Sequence, residues 1–396
     1  MGGGETSQRL LTGMRSWTIL HTESSTGWSG QQIRILDEAR GLMDRGHSVT
    51  VVCQPNSMIA KRAEEWNVPI VTTKMKGAFD IVGIRNLRAF MQEYKPQIVN
   101  THSSRDSWTG LIAARLTGGI TAVRTRHDHS PIKTSFDSRL LYCKLCDVVV
   151  TTGETIRQYV IQQTGSSPDR VFSIPTGIDT RKFSPDNADG LTFRREIGVA
   201  ERAPLIGTAA VVMAVRGLSH FVEAASKIAS KMPDARFVIV GDASTPNNLK
   251  ERLVEHIAEL GMTDKLVLAG SRSDMPNVMA ALDVFVLASL SEGLPRVISQ
   301  AMAMKKPVVA ANVGSIPEQV LDGQTGILVE KANSDQIADA VVKIMNDPAL
   351  AKQMGENGRR LVLEKFSIES MLDRTEAMYA RLLGNRACDG VADAQA

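Results

Sequence analysis

Residues 291–329, SEGLPRVISQAMAMKKPVVAANVGSIPEQVLDGQTGILV, decide how the rest of the chain is read. A strand-like run at 283–288 (DVFVLA) leads into them, and Glu292-Gly293-Leu294-Pro295 breaks it. Val297, Ile298, Ala301 and Met302 then recur at helical spacing. PVVAA at 307–311 reads as a buried strand, and Gly314, Gly323 and Gly326 mark turns. Such a unit puts a carboxylate and unpaired backbone N–H groups at the C-terminal ends of parallel strands. Doubly wound α/β folds bind nucleotides and phosphates there.

On either side the alternation of strand and helix continues. Upstream, 204–210, 236–240 and 265–269 read as strands, with helices at 218–230, 248–260 and 275–282 between them. Downstream, 334–346, 349–364 and 368–383 read as amphipathic helices. The first half repeats the pattern. WTILHT at 17–22 is a strand, followed by the loop ESSTGWSG at 23–30, a helix over 31–45 and a strand at 49–53. Further strands are expected at 69–73, 97–101, 121–126, 147–151 and 170–173, with helices including 81–94 and 108–116. IPTGIDTRKFSPD at 174–186 is rich in Pro, Gly and Asp and reads as a linker. Two successive parallel-sheet domains follow from the pattern.

Composition narrows the function classes. At 396 residues the chain exceeds one ordinary core. Its 43% hydrophobic and 22% charged residues suit a soluble globular protein, and no run of about 18 apolar residues marks a membrane span. Residues 1–13 are polar and glycine-rich, without the apolar centre of a signal peptide, and are expected to be a flexible leader. The net charge of +3 is unevenly spread. Residues 1–185 carry 23 Lys and Arg against 16 Asp and Glu, whereas the remainder carries 23 against 27. A basic first half fits an anionic membrane face or a phosphorylated acceptor, and no nucleic-acid motif accompanies it. Cys143 and Cys146 form a CxxC in a leucine-rich helical context, with no second pair at metal-site spacing. They read as ordinary thiols of a reducing cytoplasm.

The stretch at 291–329 resembles the C-terminal signature of the retaining glycosyltransferases of family four, which have the GT-B fold. That signature has a glutamate, seven residues, a second glutamate, an alanine-methionine-alanine helix, a PVV strand and a glycine turn ending in PE. Glu292 stands at the first acid, and Gln300 replaces the second. The resemblance extends over roughly residues 17–384. It implies two Rossmann-like doubly wound domains facing a central cleft: an acceptor-binding domain at 14–183 and a nucleotide-sugar-binding domain at 187–365. The helix at 366–384 is expected to pack back on the first domain, and 385–396 to form a flexible tail.

The resemblance also implies roles. Arg216, followed by Gly217, stands where the family has a lysine that neutralises the leaving diphosphate. An earlier arginine of the family is replaced by Met213 or a neighbour. Losing one of two such cations costs a few kcal/mol of leaving-group stabilisation. Glu292, with the Gly293 and Leu294 amides, is expected to hold the donor sugar, and Gln300 the ribose, by accepting and donating through its amide. His127 matches the histidine near the donor's reacting face. The run Arg126-His127-Asp128-His129 ends one strand and Thr101-His102-Ser103 another, with His102 and Ser103 facing the expected cleft. His129 reads as a loop histidine. Ser29-Gly30 precedes a helix and takes the place of a family loop that touches donor and acceptor, with Ser29 for its first glycine. Gly241, Asp242 and Arg272 end strands on the side suited to nucleobase and ribose; Asp242 reads equally as a solvated loop acid. Glu318 reads as a helix-start residue. Lys305 or Lys306 stands where the family often has glycine.

No Asp-x-Asp pair, Walker A sequence or GxSxG elbow occurs. The expected activity is metal-independent transfer of a hexosyl unit from a UDP- or GDP-linked donor to a lipid-linked or polysaccharide acceptor. It uses no cofactor and belongs to lipopolysaccharide or surface-glycan assembly, in the cytoplasm and peripherally at the inner face of the plasma membrane. A catalytically impaired nucleotide-sugar-binding protein is the alternative.

Overall fold

The computed structural model describes residues 16–127, 130–242 and 248–393, with side chains as far as Gly384. Asp128, His129 and the expected leader at 1–13 lie outside the described residues. Contacts divide the chain into two compact units. Of the described residues, one unit comprises 16–124, 144–148 and 382–393; the other comprises 125–127, 130–143, 149–242 and 248–381.

The chain forms two separate sheets. The first contains β1 (Thr18–Glu23), β2 (Ser48–Cys53), β3 (Ile70–Thr72), β4 (Ile98–Thr101), β5 (Thr121–Arg126), β6 (Val148–Thr151) and β7 (Val171–Ser173), in the order 3-2-1-4-5-6-7. The second contains β8 (Leu205–Ala209), β9 (Arg236–Val240), β10 (Leu266–Leu268), β11 (Val284–Leu287), β12 (Val308–Ala311) and β13 (Gly326–Val329), in the order 10-9-8-11-12-13. The strands pair in parallel, β1 with β2 and β4, β8 with β9 and β11, and β12 with β13. Strand order reverses between β1 and β4 in one sheet and between β8 and β11 in the other. These are the switch points at which such folds bind ligands.

The second sheet shows why its strands read as unbroken apolar runs. Leu205 faces one core with Phe193, Phe285 and Ile298, while Ile206 faces another with Phe221, Phe237 and Ile344. Phe285 and Val286, and Val308 and Val309, split the same way, since successive side chains of a strand leave opposite faces. A sheet covered by helices on both sides requires apolar residues at both sets of positions.

Some elements depart from expectation for local reasons. The helix expected at 108–116 begins at Ser104, because Ser103 and Asp106 close a capping box. The helix at Pro348–Leu361 passes into a π-helical turn at Val362–Phe366 rather than running on to 364. The last helix spans Ile368–Asp393, well beyond 383, there being no proline after Pro348 to stop it. In the linker, the Ile178 N–H donates to the Phe366 carbonyl at 2.9 Å and its carbonyl accepts from Ile368 at 3.0 Å. A side chain on Gly177 would meet the Ile368 Cα at 2.6 Å, so the linker is pinned at Gly177 and Ile178.

Candidate active site

Two loops meet at the switch point of the second sheet. After β8 the chain runs through 210–217, ending in a 3-10 turn at Ala214–Arg216 and the helix Leu218–Lys231. After β11 it runs through 288–295 into the helix Arg296–Ala303. The Leu290 N–H donates to the Val215 carbonyl at 2.8 Å, joining the loops. Gly217 sits at φ +60°, and a Cβ there would lie 2.0 Å from the Ala288 carbonyl oxygen. No other residue permits this approach.

Arg216 and Glu292 face each other across that junction, with Nη1 of the guanidinium paired to Oε1 of the carboxylate. Ser289 Oγ donates to the same oxygen at 2.8 Å. The Glu292 side chain is 8% exposed and that of Arg216 30%. Neither Glu292 Oε2 nor the remaining N–H donors of Arg216 take a hydrogen bond among the described residues. The pair is assembled while keeping an acceptor and several donors for a ligand.

The glycine turn closes the site from below. A side chain on Gly314, at φ +55°, would lie 1.9 Å from the Glu292 carbonyl oxygen, and the Ser315 N–H donates to the Gly293 carbonyl at 3.1 Å. Glu292, Asn312, Gly314 and Lys331 share the lining of a cavity of about 770 Å³. Leu294 is buried, and Gln300 lies half-buried on the following helix, its amide without a hydrogen bond among the described residues. Lys305 adopts the left-handed conformation, φ +57°, just past the helix end, which accounts for the glycine common there in the resembled family.

The other predicted residues make contacts of their own. Gly241, at φ +134°, packs under the Ala210 carbonyl, and the Asp242 carbonyl accepts from the Val212 N–H at 3.1 Å. The Asp242 carboxylate pairs with Lys250 at 3.0 Å. Arg272 is committed to Asp274 at 2.6 Å and Glu196 at 2.7 Å, which raise its pKa further. Met213 is 44% exposed beside Arg216. His127 is half-buried just past β5, its carbonyl accepting from Thr152 Oγ1 at 3.3 Å. Glu318 proves to have a role beyond its own short helix. Its carboxylate caps the helix Glu154–Thr164, accepting from the Glu154 and Thr155 N–H groups at 2.7 and 2.8 Å.

The first sheet's switch point holds a second polar cluster. Ser29 caps the helix Gly30–Asp44, and its hydroxyl donates to Gln32 Oε1 at 2.8 Å. Ser103 Oγ donates to Glu23 Oε1 at 2.5 Å, and His102 Nε2 lies 2.8 Å from His21 Nδ1. Glu23 and Asp106, which the motif reading passed over, are fully buried beneath these groups. Asp106 accepts from the hydroxyls of Thr22 and Ser24 and from the His102 and Ser103 N–H groups. Burial and the nearby Glu23 charge nevertheless push its carboxyl up to about 7. Burial raises Glu23 as well, and holds His21 below its ordinary value and neutral. The signal that could have found them is positional: Glu23 ends β1 and Asp106 stands five residues past β4.

Two family models match the chain: Glycosyltransferase Family 4 over residues 28–182 and Glycosyl transferases group 1 over 191–361. The chain belongs to glycosyltransferase family 4. A curated relative from Escherichia coli, UDP-Gal:alpha-D-GlcNAc-diphosphoundecaprenol alpha-1,3-galactosyltransferase, is 26% identical, the match covering 93% of this chain and 98% of that one. A solved glycosyltransferase from Rickettsia africae superposes with a TM-score of 0.87 at 23% identity, over 94% of this chain and all of the other. Anabaena HepE in complex with UDP superposes at 0.82 and 21% identity, over 92% and 100%. These likenesses carry the GT-B fold expected of this family 4 glycosyltransferase. Among its described residues, no helix is long and apolar enough to cross a membrane and no cluster of His, Cys, Asp and Glu is arranged to hold a metal ion.

Proposed function

We propose that this glycosyltransferase moves a hexosyl unit from a UDP- or GDP-linked donor to a lipid-linked or polysaccharide acceptor in surface-glycan assembly, with retention of anomeric configuration and without a metal. The observation that carries the reading is the Arg216–Glu292 pair at the β8/β11 switch point. As the glycosidic bond breaks, charge develops on the departing diphosphate and on the sugar ring. Arg216 and the N–H groups of loop 211–217 stabilise the first, supplying the positive charge that a chelated cation supplies elsewhere. Glu292, with the Gly293 and Leu294 amides, orients the sugar, Gln300 the ribose, and His127 serves the reacting face. Gly241 and Asp242 serve the nucleoside side, and Arg272 joins them only by exchanging Glu196 or Asp274. The first domain takes the acceptor. The E. coli relative's diphosphoundecaprenol-linked acceptor supports a lipid-linked one here.

Nucleotide release from UDP-, GDP- and ADP-sugars, with and without polyprenyl-diphosphate-linked sugars and with chelator, tests the reading. Anomeric configuration in the product is read by NMR. Binding without turnover across the panel defeats transfer and leaves the second reading, an impaired nucleotide-sugar binder. Met213 and Gln300, which stand where the family carries a cation and an acid, are the observation favouring that alternative.

Peripheral attachment to an anionic membrane is part of the proposal. Phe79, Ile81 and Val82 are 98%, 78% and 69% exposed at the start of the helix Ile81–Tyr94. Lys74, Lys76, Arg85 and Arg88 are exposed around them, while the only acid among them, Asp80, is occupied in capping the helix through the Gly83 N–H at 3.0 Å. Apolar side chains ringed by cations suit the boundary between headgroups and acyl chains.

A further inference from the structure

We infer that Gln31 presents a fixed carbonyl oxygen that binds a hydroxyl group of the acceptor. The inference deepens the proposed function and rests on it. Gln31 lies in the first turn of the helix Gly30–Asp44, half-buried over the ends of β1 and β4, where the order of the first sheet reverses. Its Nε2 donates to Glu23 Oε2 at 2.5 Å and to Ser103 Oγ at 2.8 Å.

Those two contacts decide which way the amide faces. The Ser103 hydroxyl spends its proton on Glu23 Oε1 at 2.5 Å, so toward Gln31 it offers only a lone pair. Glu23 likewise accepts on every side, from the Ser25 N–H at 2.6 Å and Gln32 Nε2 at 3.3 Å as well as from Ser103 and Gln31. Turning the Gln31 amide over would set its oxygen against two acceptors. Both N–H bonds of Gln31 are therefore directed inward, and Oε1, with no partner among the described residues, is left to accept.

What an outward carbonyl oxygen recognises is a donor, and a sugar acceptor offers hydroxyls. Glu23 is fully buried and acts through Gln31 as a positioning residue. The arrangement is preorganised, because Glu23 and Ser103 hold the amide before any ligand arrives.

The test compares the full-length wild type with Q31L, Q31E and E23Q/Q31E, measuring transfer to α-D-GlcNAc-diphosphoundecaprenol, donor hydrolysis without acceptor, and direct binding of that acceptor with UDP present. Q31L should raise the acceptor KM and Kd about tenfold, the weight of one hydrogen bond, with donor KM and hydrolysis unchanged. Q31E sets two carboxylates together and should be worse, whereas E23Q/Q31E restores an amide facing a carboxylate and should recover most of the loss. Q31L binding the acceptor within twofold of wild type, with an unchanged melting temperature, overturns the inference. So does a double variant no better than Q31E. Failure of the functional reading looks different: the wild type itself would neither bind the acceptor nor transfer to it.

Discussion

Arg216 and Glu292, 76 residues apart in the chain, are ion-paired at the point where the second sheet changes direction. The pair joins the two groups that the proposed reaction needs on opposite sides of one bond, a cation for the departing diphosphate and a carboxylate for the sugar. On the proposed reading, a donor enters between them without orphaning either: Glu292 would exchange part of its pairing for sugar hydroxyls, and Arg216 would turn its unused N–H groups to phosphate.

Arg216→Ala should lower kcat by roughly 10²- to 10³-fold, the scale of losing one preorganised donor to a developing negative charge. It also leaves Glu292, only 8% exposed, without its cation. Arg216→Lys keeps the charge but not the fork, and should fall between. Nucleotide release at saturating donor measures both. Full turnover in the alanine variant would remove Arg216 from the mechanism.

Gln300→Glu should tighten donor binding by roughly fivefold, because a charged acceptor adds about 1 kcal/mol over a neutral one. Met213→Arg should raise kcat about tenfold by supplying a second cation, and the 44% exposure of Met213 leaves room for the longer side chain. Donor KM and kcat, measured separately, distinguish the two effects. No change in either variant would show that these positions do not face the donor.

Both sheets were legible in the sequence because most strands are short apolar runs punctuated by Gly, Pro or a cap, and parallel strands buried on two faces admit little else. Glu292 and Arg216 were legible as members of motifs. Their pairing was not, since it depends on Gly217 and Gly314 letting backbones approach within a Cβ's width. Gln31, Glu23 and Asp106 carried no motif at all. They converge only when β1 and β4, distant in sequence, become neighbours. Glu318 looked like a local helix residue because the helix it caps begins 164 residues earlier.

Asp106 gives the fold a pH dependence of defined sign. Its carboxyl titrates at about 7 when folded, against 3.8 as the ordinary value. Between those limits the folded chain holds a proton that the unfolded chain releases, so stability falls as pH rises from about 4 to 7, by at most about 4 kcal/mol. The neutral, buried His21 acts oppositely, losing stability as pH drops below 6.5. Comparing wild type with D106N cancels that contribution. The melting temperature of wild type relative to D106N should climb as pH goes from 8 to 5, and a flat difference would mean that Asp106 stays ionised. Since Glu23 is raised beside it, the proton belongs to the pair.

The exposed tip at Phe79, Ile81 and Val82 has an energetic consequence that separates its two components. Fully burying a large apolar side chain is worth about 1.5–3 kcal/mol, and each nearby cation adds about 1 kcal/mol at an anionic surface. Wild type should therefore co-sediment with phosphatidylglycerol-containing vesicles and far less with pure phosphatidylcholine. Raising salt should weaken binding by screening Lys74, Lys76, Arg85 and Arg88 while leaving the apolar share intact. F79E/I81E should lose binding by roughly a hundredfold at every salt concentration, because it removes the insertion and sets acids against the surface. Neither side chain contributes to the buried core, so the variant's melting temperature should match wild type. Equal sedimentation of wild type and F79E/I81E at low salt would place the membrane contact elsewhere. No sedimentation of wild type even there would remove the membrane from the proposal.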